Sequence, residues 1–358
     1  MEEISNAMEM LDLMVRPAFC VRDGVIIYAN YPAQQQTLCE GTKLSDILIT
    51  GAEEYAEFRS GCLYLTIQAA GQSCGTSVTR MDGFDVFVLE QEDDNRELQA
   101  MALAAKELRT PLSSVMLVAD QLFPLADSDD DPAIQQRIAR LNRGLFQILR
   151  VVSNMSDAVQ YSTAALSQQE IRDIPKLLEE IFSTAAEQLR HTQISLNFTN
   201  LPNSVYSYTD AIKLERAVNN LLSNAAKFTP KGGSIQAKLY RRNTKLYLSI
   251  QDSGTGVAPH LRQNIYACYQ RMPGMEDSRF GIGLGMVLVR SIAAQHGGTV
   301  LVEYPEEGGT RVTMTLTIRQ GKENTLSSPI FLPDYLAGWN HSLVELSDVL
   351  PHTLYEKE

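Results

Sequence analysis

The residues best suited to chemistry lie in one stretch of helical character, Asn219-Asn220-Leu221-Leu222-Ser223-Asn224-Ala225-Ala226-Lys227-Phe228-Thr229. Asn220, Asn224 and Lys227 recur at i, i+4 and i+7, which puts them on one face of a helix. An Asn carbonyl is a hard oxygen donor of the kind Mg²⁺ takes alongside nucleotide phosphates, and a lysine ammonium neutralises a phosphate directly. The same pattern suits a solvated helix surface, so this helix alone leaves both readings open.

Two glycine-rich turns follow. A strand runs into Asp252-Ser253-Gly254-Thr255-Gly256, and further on stands Phe280-Gly281-Ile282-Gly283-Leu284-Gly285-Met286. Glycine lets a backbone approach a ligand closely, and a glycine-rich turn that opens a helix aims N–H groups at an anion. The second turn is no dinucleotide fingerprint, because it does not follow the first strand of a βαβ unit. Nor is it a P-loop, because no Gly-Lys-Ser/Thr follows. Each turn taken singly also fits a buried tight turn.

The elements that must carry these residues read as α/β from about 168 to 320. Helices are expected at Pro175–His191, Ala211–Phe228 and Leu284–His296. Strands are expected at Ile194–Phe198, Ser234–Tyr240, Lys245–Gln251, Thr299–Tyr304 and Thr310–Ile318. Upstream, Leu98, Met101, Ala105, Leu108, Leu112, Val115, Ala119 and Leu122 alternate by three and four. A second such seam is Ile134, Ile138, Leu141, Leu145, Ile148, Val152, Met155 and Val159. Between them Pro124, Pro132 and Asp129-Asp130-Asp131 stop one helix and start the next. The expectation is an antiparallel helical hairpin that buries its remaining apolar surface as a four-helix bundle in a homodimer.

Before the polar junction Gln91–Glu97, short strands and turns dominate. Ala18–Val21 and Val25–Tyr28 around Arg22-Asp23-Gly24 read as a hairpin, with Cys62–Gln68 and Phe84–Glu90 as further strands of a small α+β domain. The tail from Gly321 holds Trp339, the one tryptophan, and a short helix at Ser342–Val349.

Composition narrows the class. With 358 residues, 44% of them hydrophobic and 21% charged, the chain is long enough for two or three globular domains. No run approaches the roughly 18 consecutive apolar residues of a membrane helix, and Met1–Met10 is acidic, unlike a secretory signal. The expectation is a cytoplasmic protein without membrane insertion. Five scattered cysteines with no C-x-x-C pair indicate neither a disulfide framework nor a zinc site. A net charge of −12 with no local basic cluster argues against nucleic acid as a partner.

In order and spacing, the Asn-rich helix, the D-x-G-x-G turn and the G-x-G-x-G turn resemble the N, G1 and G2 boxes of the ATP-binding domain of histidine kinases and their GHKL relatives. Ile265-Tyr266-Ala267-Cys268-Tyr269-Gln270-Arg271 resembles the F box of the ATP lid, and His296-Gly297-Gly298 the turn after the G2 helix. The resemblance implies Asn224 as the Mg²⁺ ligand, Asn220 and Lys227 as phosphate-side residues, and Asp252 as the acceptor for the adenine amino group. It implies Gly254, Gly256, Gly281, Gly283 and Gly285 as shapers of the loops around ATP, with Arg271 on the lid.

The hairpin extends the likeness. Ala105-Lys106-Glu107-Leu108-Arg109-Thr110-Pro111-Leu112 resembles the H box, but Lys106 stands where the family has its phosphoryl-accepting histidine. Imidazole, with an ordinary pKa of about 6.5, has a free lone pair at neutral pH and attacks the γ-phosphoryl group. A solvated lysine ammonium is protonated there and offers none. His191, His260, His296, His341 and His352 all lie outside an H-box context. Glu107 and Thr110 keep an E-x-x-T arrangement that in such relatives helps position water against a response regulator's acyl phosphate; they also suit a solvated helix surface. Pro17–Gly24 leading into Ile27-Tyr28-Ala29-Asn30 resembles the opening hairpin of a PAS sensor.

The expected fold is therefore multidomain α+β: a PAS-like sensor at 1–92, the H-box hairpin at 93–165, an α/β-sandwich GHKL ATP-binding domain at 166–320, and a tail at 321–358. The expected function is that of a two-component sensor kinase relative that binds Mg·ATP and is impaired in self-phosphorylation. Its expected partners are a response regulator receiver domain, a second copy and a partner histidine kinase. The alternatives are an active kinase whose acceptor lies elsewhere and a sensory scaffold without turnover.

Overall fold

The computed structural model describes residues 8–90, 92–126, 132–163, 170–257, 262, 283–319 and 340–355. In the amino-terminal part, after a helical stretch at 8–12, β1 (Ala18–Arg22) and β2 (Val25–Ala29) pair antiparallel around Asp23-Gly24. Asp23 and Gly24 both take positive φ, 52° and 73°, the backbone of a tight hairpin turn. Short helices α1 (Tyr31–Gln35), α2 (Leu44–Ile47) and α3 (Ala52–Glu57) follow, with β3 (Leu48–Thr50) between the last two. Asn30 caps α1 with its side chain and also donates to the carbonyls of Leu11 and Arg16, which ties the entry segment to the turn. Strands β4 (Cys62–Ala69), β5 (Gln72–Met81) and β6 (Phe84–Leu89) complete this part. Its core stacks Phe19 on Phe87, 4.8 Å between ring centroids, among Ile26, Leu38, Phe58, Leu65 and Ile67.

Two long helices, α4 (Glu92–Ala126) and α5 (Pro132–Thr163), pack against each other. The heptad seams are only half used within the chain. Ala105, Leu112 and Ala119 are buried, whereas Leu108 and Val115 are 51% and 52% exposed, and Leu141 and Ile148 on α5 are likewise exposed. Helix α4 continues through Pro111. Ser113 and Ser114 donate from Oγ to the carbonyls of Arg109 and Thr110 at 2.9 and 3.1 Å. These back-bonds occupy carbonyls in the turn where proline's missing N–H loosens the ladder.

The third part comprises β7 (Glu170–Asp173), α6 (Ile174–Leu189), β8 (Ser195–Thr199), β9 (Tyr206–Thr209), α7 (Ala211–Phe228), β10 (Ser234–Arg242) and β11 (Lys245–Asp252). It ends with α8 (Leu284–Gln295), β12 (Val300–Glu303), β13 (Arg311–Thr317) and, beyond 319, α9 (His341–Glu345). Alternation along β10 buries Ile235, Ala237 and Leu239 while Gln236 and Lys238 face solvent. Helices α6, α7 and α8 lie against this sheet.

Several outcomes differ from the sequence reading. Strand β5 was not expected, because Gln-Ser-Cys-Gly-Thr-Ser carries almost no apolar alternation. The tail helix stops at Glu345 rather than Val349. The sheet is also continuous across the chain. Among the described residues eleven strands run in the order β2-β1-β6-β5-β4-β12-β13-β11-β10-β8, with β3 beside β4. The join is β4 against β12, antiparallel, with Val300, Leu301 and Val302 opposite Tyr64, Leu63 and Cys62. Gly61 makes the close approach possible: at φ 98° its position leaves only 2.0 Å between an added Cβ and the carbonyl oxygen of Val302. Side chains seal the join. Arg290 on α8 pairs with Glu90 and lies 5.1 Å over the Tyr64 ring, and Lys245 meets Glu54 at 2.7 Å.

Candidate functional site

Helix α7 starts at Asp210, whose side chain accepts from the Lys213 amide at 3.2 Å. Its core face, Leu214, Ala217, Val218, Leu221 and Leu222, is fully packed, so the register of its polar residues is fixed. Asn220 is buried and Asn224 half-buried, both turned toward the start of α8. Asn220 Nδ2 donates to the Arg216 carbonyl at 2.9 Å, while its Oδ1 is buried without a hydrogen-bond partner. Such an oxygen is costly to leave unmade and is what a cation or its bound water would satisfy. The residues thus fit an Mg²⁺-nucleotide complex in donor chemistry.

Gly283 takes φ 80° as the N-cap of α8, and Gly285, the second residue of that helix, faces the asparagines, with 3.1 Å from an added Cβ to Asn220 Oδ1 and 3.6 Å to Asn224 Nδ2. The first amides of α8 and the asparagine face of α7 therefore line one place, and an anion there meets helix N–H groups. Lys213 links the same two helices, donating to Gln295 Oε1 at 2.9 Å.

Asp252 ends β11 in a buried position, and its Oδ1 accepts from the Gly254 amide at 2.8 Å. Burial pushes its carboxyl above the usual carboxylate range, and the Gly254 N–H opposes that shift. A Cβ on Gly254 would stand 2.4 Å from the Phe228 carbonyl, so the turn after Asp252 packs onto the end of α7. Gly256 has φ 70° and closes on Gly309. Asn220, Asn224 and Gly285 thus meet between α7 and α8, while Asp252 and Gly254 meet the end of α7 at Phe228 and Gly256 meets Gly309. Arg271 and Gly281 lie outside the described residues.

Behind the site, His296 caps α8 and is buried. Its Nδ1 donates to the Ile292 carbonyl at 2.8 Å, which leaves Nε2 to accept from Thr209 Oγ1 at 2.9 Å. Burial holds this imidazole down to about 4, so it serves as a neutral strut between β9 and α8. On α4, Lys106, Glu107 and Thr110 are all exposed, while Ala105 beside them is buried.

Lys227 departs from expectation. Its Nζ donates to Asp348 Oδ2 at 2.8 Å, and Arg150 Nη1 reaches the same oxygen at 2.5 Å. The sequence shows no basic cluster, yet the fold gathers Arg143, Arg150, Arg216 and Lys227 against the tail. Arg216, one turn before Asn220, pairs with Asp157 of α5 and Glu345 of α9, both at 2.8 Å. Sequence reasoning missed Arg216. The one signal was its place on the face that Asn220 and Lys227 share; its partners come from distant segments.

Residues 209–320 match the family model of the histidine kinase-, DNA gyrase B-, and HSP90-like ATPase. The chain is 24% identical over 279 residues to "Histidine kinase P4" of Formosa agariphila, covering 75% of this chain and 20% of that protein. It is 29% identical over 245 residues to "Histidine protein kinase DivJ" of Caulobacter vibrioides, covering 63% of this chain and 40% of that protein. The chain thus spans well under two thirds of either relative. Among solved structures, full-length ShkA in complex with AMPPNP superposes with a TM-score of 0.50 at 22% identity, over 62% of this chain and 46% of that one, a likeness of fold. Residues 209–320 therefore carry a histidine kinase-, DNA gyrase B-, and HSP90-like ATPase domain, and the longer matches to named histidine kinases support a place in that family.

Proposed function

We propose that this chain is a two-component sensor kinase relative that binds Mg·ATP between α7 and α8 and does not phosphorylate itself at Lys106. The observation that carries the reading is the buried, unpartnered Asn220 Oδ1 facing Gly285 at the opening of α8. In this reading Asn224 supplies oxygen to the magnesium ion, Asn220 and Lys227 lie on the phosphate side, and Asp252 accepts from the adenine amino group. The amides at the start of α8 meet the phosphates. ATP binding is what the domain family implies, and a magnesium ion supplies charge neutralisation at the phosphate oxygens.

The remaining assignments rest on the same reading. Residues 1–92 act as a PAS-like sensor, 93–165 as the H-box hairpin, 166–320 as the ATP-binding domain and 321–358 as a tail. Exposed Leu108, Val115, Leu141 and Ile148 support a homodimer that closes the helices into a four-helix bundle. No helix among the described residues is long and apolar enough to cross a membrane. Glu107 and Thr110, both exposed and one turn apart, support a second activity, positioning water against the acyl phosphate of a receiver domain.

The test is incubation with Mg²⁺ and γ-labelled ATP beside a Lys106→His variant, followed by mapping of acid-labile phosphate. Label at residue 106 of the variant alone is expected. Label on the parent would overturn the missing-acceptor reading, and silence from both would favour a sensory scaffold.

A further inference from the structure

The tail segment 340–355 is held on α5 and α7 by two kinds of contact. Val344, Leu346, Leu350 and Tyr355 are buried in the core shared with α5 and α7, and the Tyr355 ring lies 5.2 Å from that of Phe146. Polar contacts then orient it. Arg143 donates to the carbonyls of Ser347 and Asp348, both at 3.0 Å, and Asn142 Nδ2 donates to the Tyr355 carbonyl at 3.0 Å. Glu345 and Arg216 meet with both side chains only 1% exposed.

Asp348, like Glu345, is paired with a residue on the asparagine face of α7. Arg216, Asn220 and Lys227 lie on one side of α7, spaced by four and seven. The carboxylate of Asp348 sits on the last of them. Burial raises the Asp348 carboxyl, but Arg150, Lys227 and Arg143 outweigh it and hold the group below the usual carboxylate range. It is therefore an anion at neutral pH. A phosphate brought to Lys227 meets a like charge in a partly buried setting, where repulsion is poorly screened.

We propose that residues 340–355 form an autoinhibitory strap, in which Asp348 occupies Lys227 and excludes the phosphate contact of Mg·ATP. The inference rests on the ATP-binding reading and adds its regulation. The strap competes because it is tethered, so its effective concentration is on the order of millimolar whatever the protein concentration. Nucleotide and docked tail are then alternatives at one ammonium group.

The experiment compares the full chain with Asp348→Asn, which keeps shape and the apolar anchors. Calorimetric titration with Mg·ATP is paired with hydrogen exchange of amides 341–355. The variant is expected to bind Mg·ATP about 5- to 10-fold more tightly, about 1–1.4 kcal/mol, and saturating nucleotide is expected to speed exchange of the tail in the parent. Binding by the variant alone also supports the strap. Affinities equal within about twofold overturn the strap and leave ATP binding standing. Absence of binding by both proteins overturns both readings.

Discussion

Gly285 and Asn220 face each other so closely that a single methyl group on the glycine would stand 3.1 Å from the amide oxygen. That separation ties the start of α8 to the asparagine face of α7. Alanine is the better helix former by about 1 kcal/mol, so a Gly285→Ala protein should fold at least as well. The added methyl should nonetheless push Asn220 out of place. The expected outcome is an unchanged or slightly raised melting temperature, with Mg·ATP affinity lowered about tenfold by titration. Unchanged affinity would separate Asn220 from the nucleotide.

Asp252 offers a different handle. In Asp252→Asn the side-chain carbonyl can still accept from the Gly254 amide, so the turn should survive, but the acceptor for an adenine amino group is replaced by a donor. A hydrogen bond to a charged group is worth about 1.5–3 kcal/mol. The variant should therefore lose roughly 10- to 100-fold in Mg·ATP affinity and little for Mg·tripolyphosphate, which has no base. Competition titration with both ligands checks this, and equal losses would count against an adenine contact.

His296 predicts how stability responds to acid. Burial is the main cause of its low value of about 4 against an ordinary 6.5, with Arg319 and Lys213 adding to it and the Ile292 carbonyl opposing. The folded protein therefore binds fewer protons than the unfolded chain between these values. The contribution is fully present above about pH 6.5 and is lost as pH falls toward 4, by about 3 kcal/mol. Urea unfolding at pH 7 and pH 4.5 should show the difference, and His296→Gln should flatten this part of the profile.

Gly61 tests the join in the sheet. Its φ of 98° and the 2.0 Å approach to Val302 leave no room for a side chain against backbone. Gly61→Val should cost about 2 kcal/mol or more and should raise hydrogen exchange at Val300–Val302 before other strands. If those amides stay protected, the β4–β12 pairing does not form in solution.

The elements of the candidate site were legible in the sequence because their signals are local. Asn220 and Asn224 share a helix face, Asp252 ends an alternating strand, and Gly283 opens a helix, each readable within a dozen residues. The seams of α4 and α5 were readable in part: Ala105, Leu112, Leu145 and Val152 are buried as their spacing implies, whereas Leu108, Val115, Leu141 and Ile148 are exposed. The illegible features are non-local. Nothing near Lys227 announces Asp348, nothing near Arg216 announces Asp157 or Glu345, and β5 shows no alternation because its partners on both sides supply the apolar context. Pairings made across the fold leave no periodicity in the chain.

The union of β4 with β12 bears on the order in which the chain can be made. Synthesis delivers β4 long before β12, and domains generally fold as they emerge. Until the last third of the protein arrives, the outer side of β4 is an open row of backbone donors and acceptors, the kind of edge that recruits strands from other molecules. Cys62, Leu63 and Tyr64 at that edge carry no charge to deter it. The nascent protein thus passes through a stage more prone to association than its finished form, and completing the ATPase domain is also what quiets its own beginning.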